Sequence, residues 1–299
     1  MGTKIPFRKE LEFNYGELIT IAPNIRRIIA NNPSPFTLYG TGTYVLGTNN
    51  VAVIDPGPMD NQHIESLIQG LGDEKISHVF VTHTHMDHSP ACAILREYSD
   101  ADTFGFGPHG FGRKLSEEEV EEGGDKDFSP TKPVRHGDII QGDGWSVECV
   151  HTPGHTSNHM CYQLIENKAL FTGDHVMGWS TSIISPPDGD MSSYMASLDL
   201  LLEREDIVYW PTHGPSIEDT KGHVKAFIEH RKERERQIVD CVRGRGIKLI
   251  RQMVPEMYQD TPTYLYPAAE RSVLAAIEHL VNRGDINSDS DPTLDSEYY

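Results

Sequence analysis

Cysteine is scarce: the four residues Cys92, Cys149, Cys161 and Cys241 show no CxxC spacing in a chain of 299. This excludes a disulfide framework, and we expect reduced, mostly buried thiols. No apolar run approaches the ~20 residues of a membrane-spanning helix, which argues against a membrane protein. At 37% hydrophobic residues the chain still has enough apolar side chain for a real core. The opening Met1-Gly2-Thr3-Lys4-Ile5-Pro6 carries neither an apolar h-region nor a small-residue cleavage site, so the expected location is the cytoplasm. Bases are also few, 26 Lys and Arg against 45 Asp and Glu, for a net charge of −19. Such a surface repels polyanions on average, so a small-molecule substrate is expected before RNA, and no membrane partner.

What is present is a chain long enough for one large domain and a smaller one. Residues 43–46 and 51–54 read as a hairpin across Gly47-Thr48-Asn49-Asn50. Ile64, Leu67, Ile68 and Leu71 follow at helical spacing, and residues 76–81 then form an apolar strand. Ser89-Pro90 predicts an N-cap and a helix from 90 to about 98. Residues 117–127 hold seven acids and one Lys without apolar periodicity, which predicts a solvated insertion. Short strands are expected at 145–150, 159–164 and 169–172, then a helix at 190–203 and a strand at 207–210. From 221 to 251 ten bases face four acids on what begins as a long helical segment. A further helix over 266–283 stops at Gly284, and the last dozen residues read as a frayed tail. The expected organisation is a domain over 1–220, a small helical unit over 221–285 and a disordered tail over 286–299.

Chemistry concentrates in Thr82-His83-Thr84-His85-Met86-Asp87-His88, at a strand-to-helix junction. His83 and His85, two apart at a strand end, point the same way and can share a metal, while Asp87 and His88 can reach a second. Imidazole with carboxylate suits zinc, iron or manganese. Two metals need further ligands, and His155, Asp174 and His213 each directly follow a predicted strand.

Asp55, the HxHxDH run, His155, Asp174 and His213 occur in the order of the five motifs of the metallo-β-lactamase superfamily, which the chain resembles over residues 55–213. The resemblance implies an α/β fold, an αββα sandwich, matching the alternation read above. It implies that His83, His85 and His155 hold one metal, that Asp87, His88 and His213 hold the second, and that Asp174 bridges them. Asp55 would orient the site without being a ligand. Two divalent ions, zinc before iron or manganese, would share a hydroxide as nucleophile, which Asp87 would orient or deprotonate as the catalytic residue. Asp87-His88-Ser89, the segment 152–160, the Ser193-Tyr194-Met195-x-Ser197-Leu198 helix and the basic C-terminal unit are similar to the beta-lactamase-like protein 2 group. That group has a glyoxalase II-like core and a small winged-helix-like C-terminus; its characterised animal members cut single-stranded RNA, and related proteins are thioesterases. The Ser89-Pro90-Ala91 run departs from the Gly-rich continuation of many relatives.

Several residues carry two readings. His159, His175 and Tyr194 either contact substrate or support the site. Met177 and Trp179 either line a pocket or belong to the core. Arg231, Lys232, Arg234 and Arg236 either grip an anion or, interleaved with Glu233 and Glu235, form a solvated face. The preferred function is hydrolysis of an ester or thioester-type small molecule, ahead of a single-strand endoribonuclease and of a mononuclear iron oxygenase acting on persulfides. In a fourth reading the C-terminal unit is an independent module that binds nucleic acid or makes a homodimer, and its removal leaves hydrolysis unchanged.

Overall fold

The structure is a computed structural model that describes residues 4–114 and 123–299. One sheet contains, in spatial order, Ile19–Ala22 (β1), Ile25–Ile29 (β2), Gly42–Leu46 (β3), Asn50–Ile54 (β4), Lys75–Phe80 (β5), Asp102–Gly105 (β6) and Lys132–Pro133 (β7). The second runs Ile139–Gln141 (β8), Ser146–His151 (β9), Met160–Leu164 (β10), Ala169–Gly173 (β11) and Val208–Pro211 (β12). The helices are Asn61–Leu71 (α1), Cys92–Leu95 (α2), Met191–Glu203 (α3), Thr220–Val239 (α4), Ile250–Met257 (α5) and Tyr266–Arg283 (α6).

Strand alternation builds the layers. Tyr44, Leu46, Ala52 and Ile54 point inward and meet Cys149, Met160, Tyr162 and Phe171 of the facing sheet. Their strand neighbours Val45, Val51 and Val53 point outward and are covered by Ile64, Leu67 and Leu71 of α1 and by Cys92 and Leu95 of α2. On the far side Val150, Cys161 and Leu170 pack under Tyr194 and Leu198 of α3 and Phe227 of α4. With their central strands buried on both faces, the two sheets read there as apolar runs, and the architecture is αββα. The hairpin β3–β4 and the parallel pairs β4–β5 and β11–β12 all leave strand ends on one rim.

Four expectations change. The helix at 90–98 shrinks to the single turn α2, and Ser89 does not cap it: its hydroxyl donates to Asp125 Oδ2 at 2.6 Å. Asp125, read as part of a solvated insertion, is buried and also accepts the amides of Asp127 and Phe128. Residues 117–122 of that insertion lie outside the described residues. The tail is not frayed, because Asn287 and Tyr299 exchange backbone hydrogen bonds and Ile286 and Tyr298 are buried. The four cysteines are buried and unpaired.

Candidate metal centre

The seven candidate ligands converge on the rim. His83 and His85 follow β5, His155 follows β9, Asp174 follows β11 and His213 follows β12, so a sheet edge gathers side chains separated by up to 130 positions. His83 Nε2 lies 3.0 Å from His85 Nδ1, which is 3.1 Å from His155 Nε2. His213 Nε2 lies 3.2 Å from Asp87 Oδ2 and 3.3 Å from Asp174 Oδ2. His88 Nε2 stands 3.4 Å from Asp87 Oδ1 and 3.7 Å from Asp174 Oδ2. Three donor groups fall within 4.8 Å: His83 with His85 and His155, His83 with His88 and Asp174, and Asp87 with His88 and His213.

The other ring nitrogens fix the tautomers. Thr82 gives its hydroxyl proton to Asp55 Oδ2, so Thr82 Oγ1 must accept from His83 Nδ1, 3.1 Å away, which leaves His83 Nε2 as a bare donor atom. His155 Nδ1 donates to Ile183 O at 2.6 Å, and His213 Nδ1 donates to Gly40 O at 3.1 Å. His88 Nδ1 donates to Asp55 Oδ2 at 2.9 Å. Asp55 also accepts from the Thr82 amide at 2.7 Å and the Thr212 hydroxyl at 3.0 Å, so it ties β4, β5 and β12 together at the cluster. Thr41, itself held by Asn32, donates to Asp87 Oδ2 at 2.9 Å.

The residues fit a metal. His88 Nε2 and Asp174 Oδ1 are buried with no hydrogen-bond partner, an arrangement that costs free energy unless a cation accepts the lone pairs. Burial, reinforced by neighbouring imidazoles, pushes the pKa values of His83 and His85 well below the ordinary range, so both are neutral, as ligands must be. Burial lowers His155 as well. Around Asp87 and Asp174 the balance reverses. Burial alone would depress His213, but the Asp174 and Asp87 carboxylates hold it at about 10, and the same acids with Asp55 raise His88. Protons there occupy the place of positive charge between two carboxylates.

The doubtful residues resolve individually. His159 supports the site: Asp174 N–H donates to its Nε2 at 3.2 Å, its Nδ1 faces Thr152 Oγ1, and its ring stacks on His83. Tyr194 and His175 pack together under α3, fully buried, with the Tyr194 hydroxyl donating to His175 O at 2.8 Å. Met177 and Trp179 line a cavity. Lys232 and Arg236 are exposed and pair with Glu229 and Glu233, whereas Arg231 is buried against Ser182 O. The anchors Thr41, Thr82, Thr212, Gly40 and Ile183 went unrecognised in the sequence. Thr82, Thr84 and Thr212 each precede a histidine of the cluster, a pattern that marks two of them. The carbonyl acceptors carry no side-chain signal.

A family model of the metallo-beta-lactamase superfamily matches residues 37–213, more than half of the chain and all seven donors. The chain belongs to the metallo-beta-lactamase superfamily. A second model, the beta-lactamase associated winged helix domain, matches residues 250–295, so α4 joins the superfamily domain to the winged helix. Among relatives, the beta-lactamase-like protein 2 homolog of Drosophila melanogaster is 31% identical over 291 residues, covering 93% of this chain and 94% of its own. An atrochrysone carboxyl ACP thioesterase of Cryptosporiopsis sp. is 31% identical over 261 residues, covering 81% and 74%. A beta-lactamase domain protein from Burkholderia ambifaria shares the fold at a TM-score of 0.80 and 18% identity, over 98% of this chain and 96% of its own.

Proposed function

We propose that this superfamily hydrolase uses two divalent metal ions, zinc foremost, to cleave an ester or thioester-type small molecule. The observation that carries the reading is the convergence of seven buried or half-buried donors in which His88 Nε2 and Asp174 Oδ1 have no hydrogen-bond partner. His83, His85 and His155 would hold one ion, Asp87, His88 and His213 the other, with Asp174 between them. Bound there, such ions would supply Lewis-acid polarisation of a scissile carbonyl and a water acidic enough to be deprotonated near neutral pH. The chain's own part is positional. Asp55 and the backbone carbonyls of Gly40 and Ile183 lock the imidazoles, and His159 holds the Asp174 amide. Asp87 has the most exposed side chain of the carboxylates, 21% against 5% for Asp174, and Thr41 fixes one of its oxygens. It is therefore the group placed to take a proton at the open face.

The small-molecule reading gains support from charge and from one relative. The net charge of −19 opposes RNA, and the exposed Lys232 and Arg236 of α4 are already paired with Glu229 and Glu233 of the same helix. A relative at 31% identity is named for thioesterase activity. The test is metal content per chain, with turnover of a generic thioester and of single-stranded RNA, each with and without chelator. Two metals and chelator-sensitive thioester turnover are expected. RNA cleavage without thioester turnover would replace this reading by the endoribonuclease, and a single iron per chain would replace it by the oxygenase.

A further inference from the structure

A cavity of about 260 Å³ opens between residues 177–183, with Pro35 and Phe36, and the C-terminal helices α4 and α6. Its wall is also the backing of the metal centre. Ile183 O accepts from His155, Ser182 Oγ donates to Asp174 O at 2.5 Å, and a Cβ on Gly214, beside His213, would lie 2.8 Å from Trp179. The cavity thus adjoins the metal centre through Ser182, Ile183 and Trp179, although none of the seven donors lines it.

The lining has a charge opposite to that of the molecule. Arg231 and Arg234 line the cavity and no Asp or Glu does, although acids outnumber bases 45 to 26 in the chain; His230 beside them is kept neutral, its pKa held at about 3 by burial. Arg231 is only 6% exposed; it donates to Ser182 O and lies over the Tyr194 ring, and no ion pair among the described residues reaches it. Arg234 lies over the Tyr258 ring at 4.3 Å and donates to Met257 O. Neither Nε has a hydrogen-bond partner. The acid beside them on α4, Glu235, is engaged by His279 at 2.7 Å and Arg283 at 3.2 Å. Burying a cation without an anion is costly, and a bound anion offsets that cost. Phe36, Trp179 and Tyr258 supply flat apolar walls. The volume lies just below the roughly 300–1,000 Å³ of whole-ligand sites, so it suits one end of a molecule.

We propose that this cavity seats an aromatic carboxylate carried by the substrate, bound by Arg231 and Arg234, so that the enzyme prefers carboxylate-bearing aromatic esters or thioesters. The substrate class rests on the hydrolase reading, but the pocket can be tested apart from it. The experiment is calorimetric titration of the purified full chain, metal-loaded and after chelation, with 2-naphthoate, its neutral isostere 2-naphthamide, and inorganic phosphate. One naphthoate per chain is expected, with naphthamide weaker by about tenfold or more, the size of charge-assisted hydrogen bonds. Binding should survive chelation and be lost in Ser272→Asp, which adds a negative charge to the lining, and weaken in Arg234→Gln. The two variants act by different means, so a folding defect in one leaves the other decisive. Equal binding of the amide, loss of binding on chelation, or phosphate binding as tightly would each overturn the proposal. Thioester turnover without any naphthoate binding would sink the pocket and spare the hydrolase; naphthoate binding without turnover would do the reverse.

Discussion

Asp55 has a left-handed backbone, φ 49°, which few non-glycine residues adopt, and its carboxylate accepts from two amino-acid hydroxyls, one amide and one imidazole. Its role is to hold, whereas Asp174 presents a partnerless oxygen to the cluster. The two acids should therefore fail differently. Asp174→Ala should lose both metals and all turnover while changing the stability of the metal-free chain little, as elemental analysis and calorimetry after chelation would show. Asp55→Ala leaves buried donors unsatisfied and should cost about 3 kcal/mol of unfolding free energy in denaturant titration, while retaining more metal than Asp174→Ala. Wild-type metal content in Asp174→Ala would refute the ligand assignment. His63 marks a different dependence, on pH. Thr43 spends its proton on Asp55 O, so His63 Nε2 must donate to Thr43 Oγ1. Burial holds the His63 pKa at about 4 against 6.5. The folded state then binds fewer protons than the unfolded one between these values, so stability present above pH 6.5 is lost as pH falls toward 4, by about 3 kcal/mol. In His63→Gln the acid limb of a stability-against-pH curve should be shallower; an unchanged limb would refute this account.

At the scale of elements, each strand ends where a ligand begins, and the turn that follows is tightly constrained. Gly173, at the end of β11, has φ 51°, and a Cβ there would lie 2.5 Å from His159 Nε2 and 2.9 Å from Thr82. Gly173→Ala must displace the imidazole that holds the Asp174 amide, and we expect a loss of at least about 2 kcal/mol together with weakened metal binding. Full metal occupancy with an unchanged melting curve would show that the turn can relax. The hairpin, α1 and β9 to β12 of the second sheet were legible because each combines periodicity with an unambiguous turn, whereas the short edge strand β8 was not read. The helix after Ser89 was not. A Ser-Pro pair signals a cap only if the hydroxyl is free, and Asp125, 36 residues away, takes it.

For the whole molecule, charge that is segregated along the chain is not segregated in space. The basic stretch 221–251 reads as a cationic unit, but Arg245 pairs with Asp240 and Glu256, Lys248 with Glu297 and Arg251 with Asp295, the last two acids returning from the tail. The C-terminal unit is also not an appendage. Phe227, Ile238, Val273 and Ile277 share one core with Leu198, Leu170 and Val150, and Arg231 grips the segment that holds His155. Truncation at residue 220 should therefore not leave hydrolysis intact. It exposes the outer face of the second sheet, and the shortened chain is expected to aggregate or to lose cooperative unfolding and metal. A soluble, fully active truncation would establish the independent module instead.

The sequence by itself determined the alternation of strands and helices and the placing of His and Asp directly after apolar runs, because both are written in local pattern; the αββα layering and the seven-donor set followed from the resemblance of those motifs to the superfamily. Tertiary structure alone decided what each donor leans on, where the tail goes and what becomes of the basic helix. Those outcomes depend on backbone carbonyls such as Ile183 O and on partners such as Asp125 and Glu297, whose distance along the chain bears no relation to their distance in the fold. Burial is likewise a property of the assembled layers. It is burial that turns Arg231 from one base in a charged run into a cation lacking a carboxylate partner among the described residues.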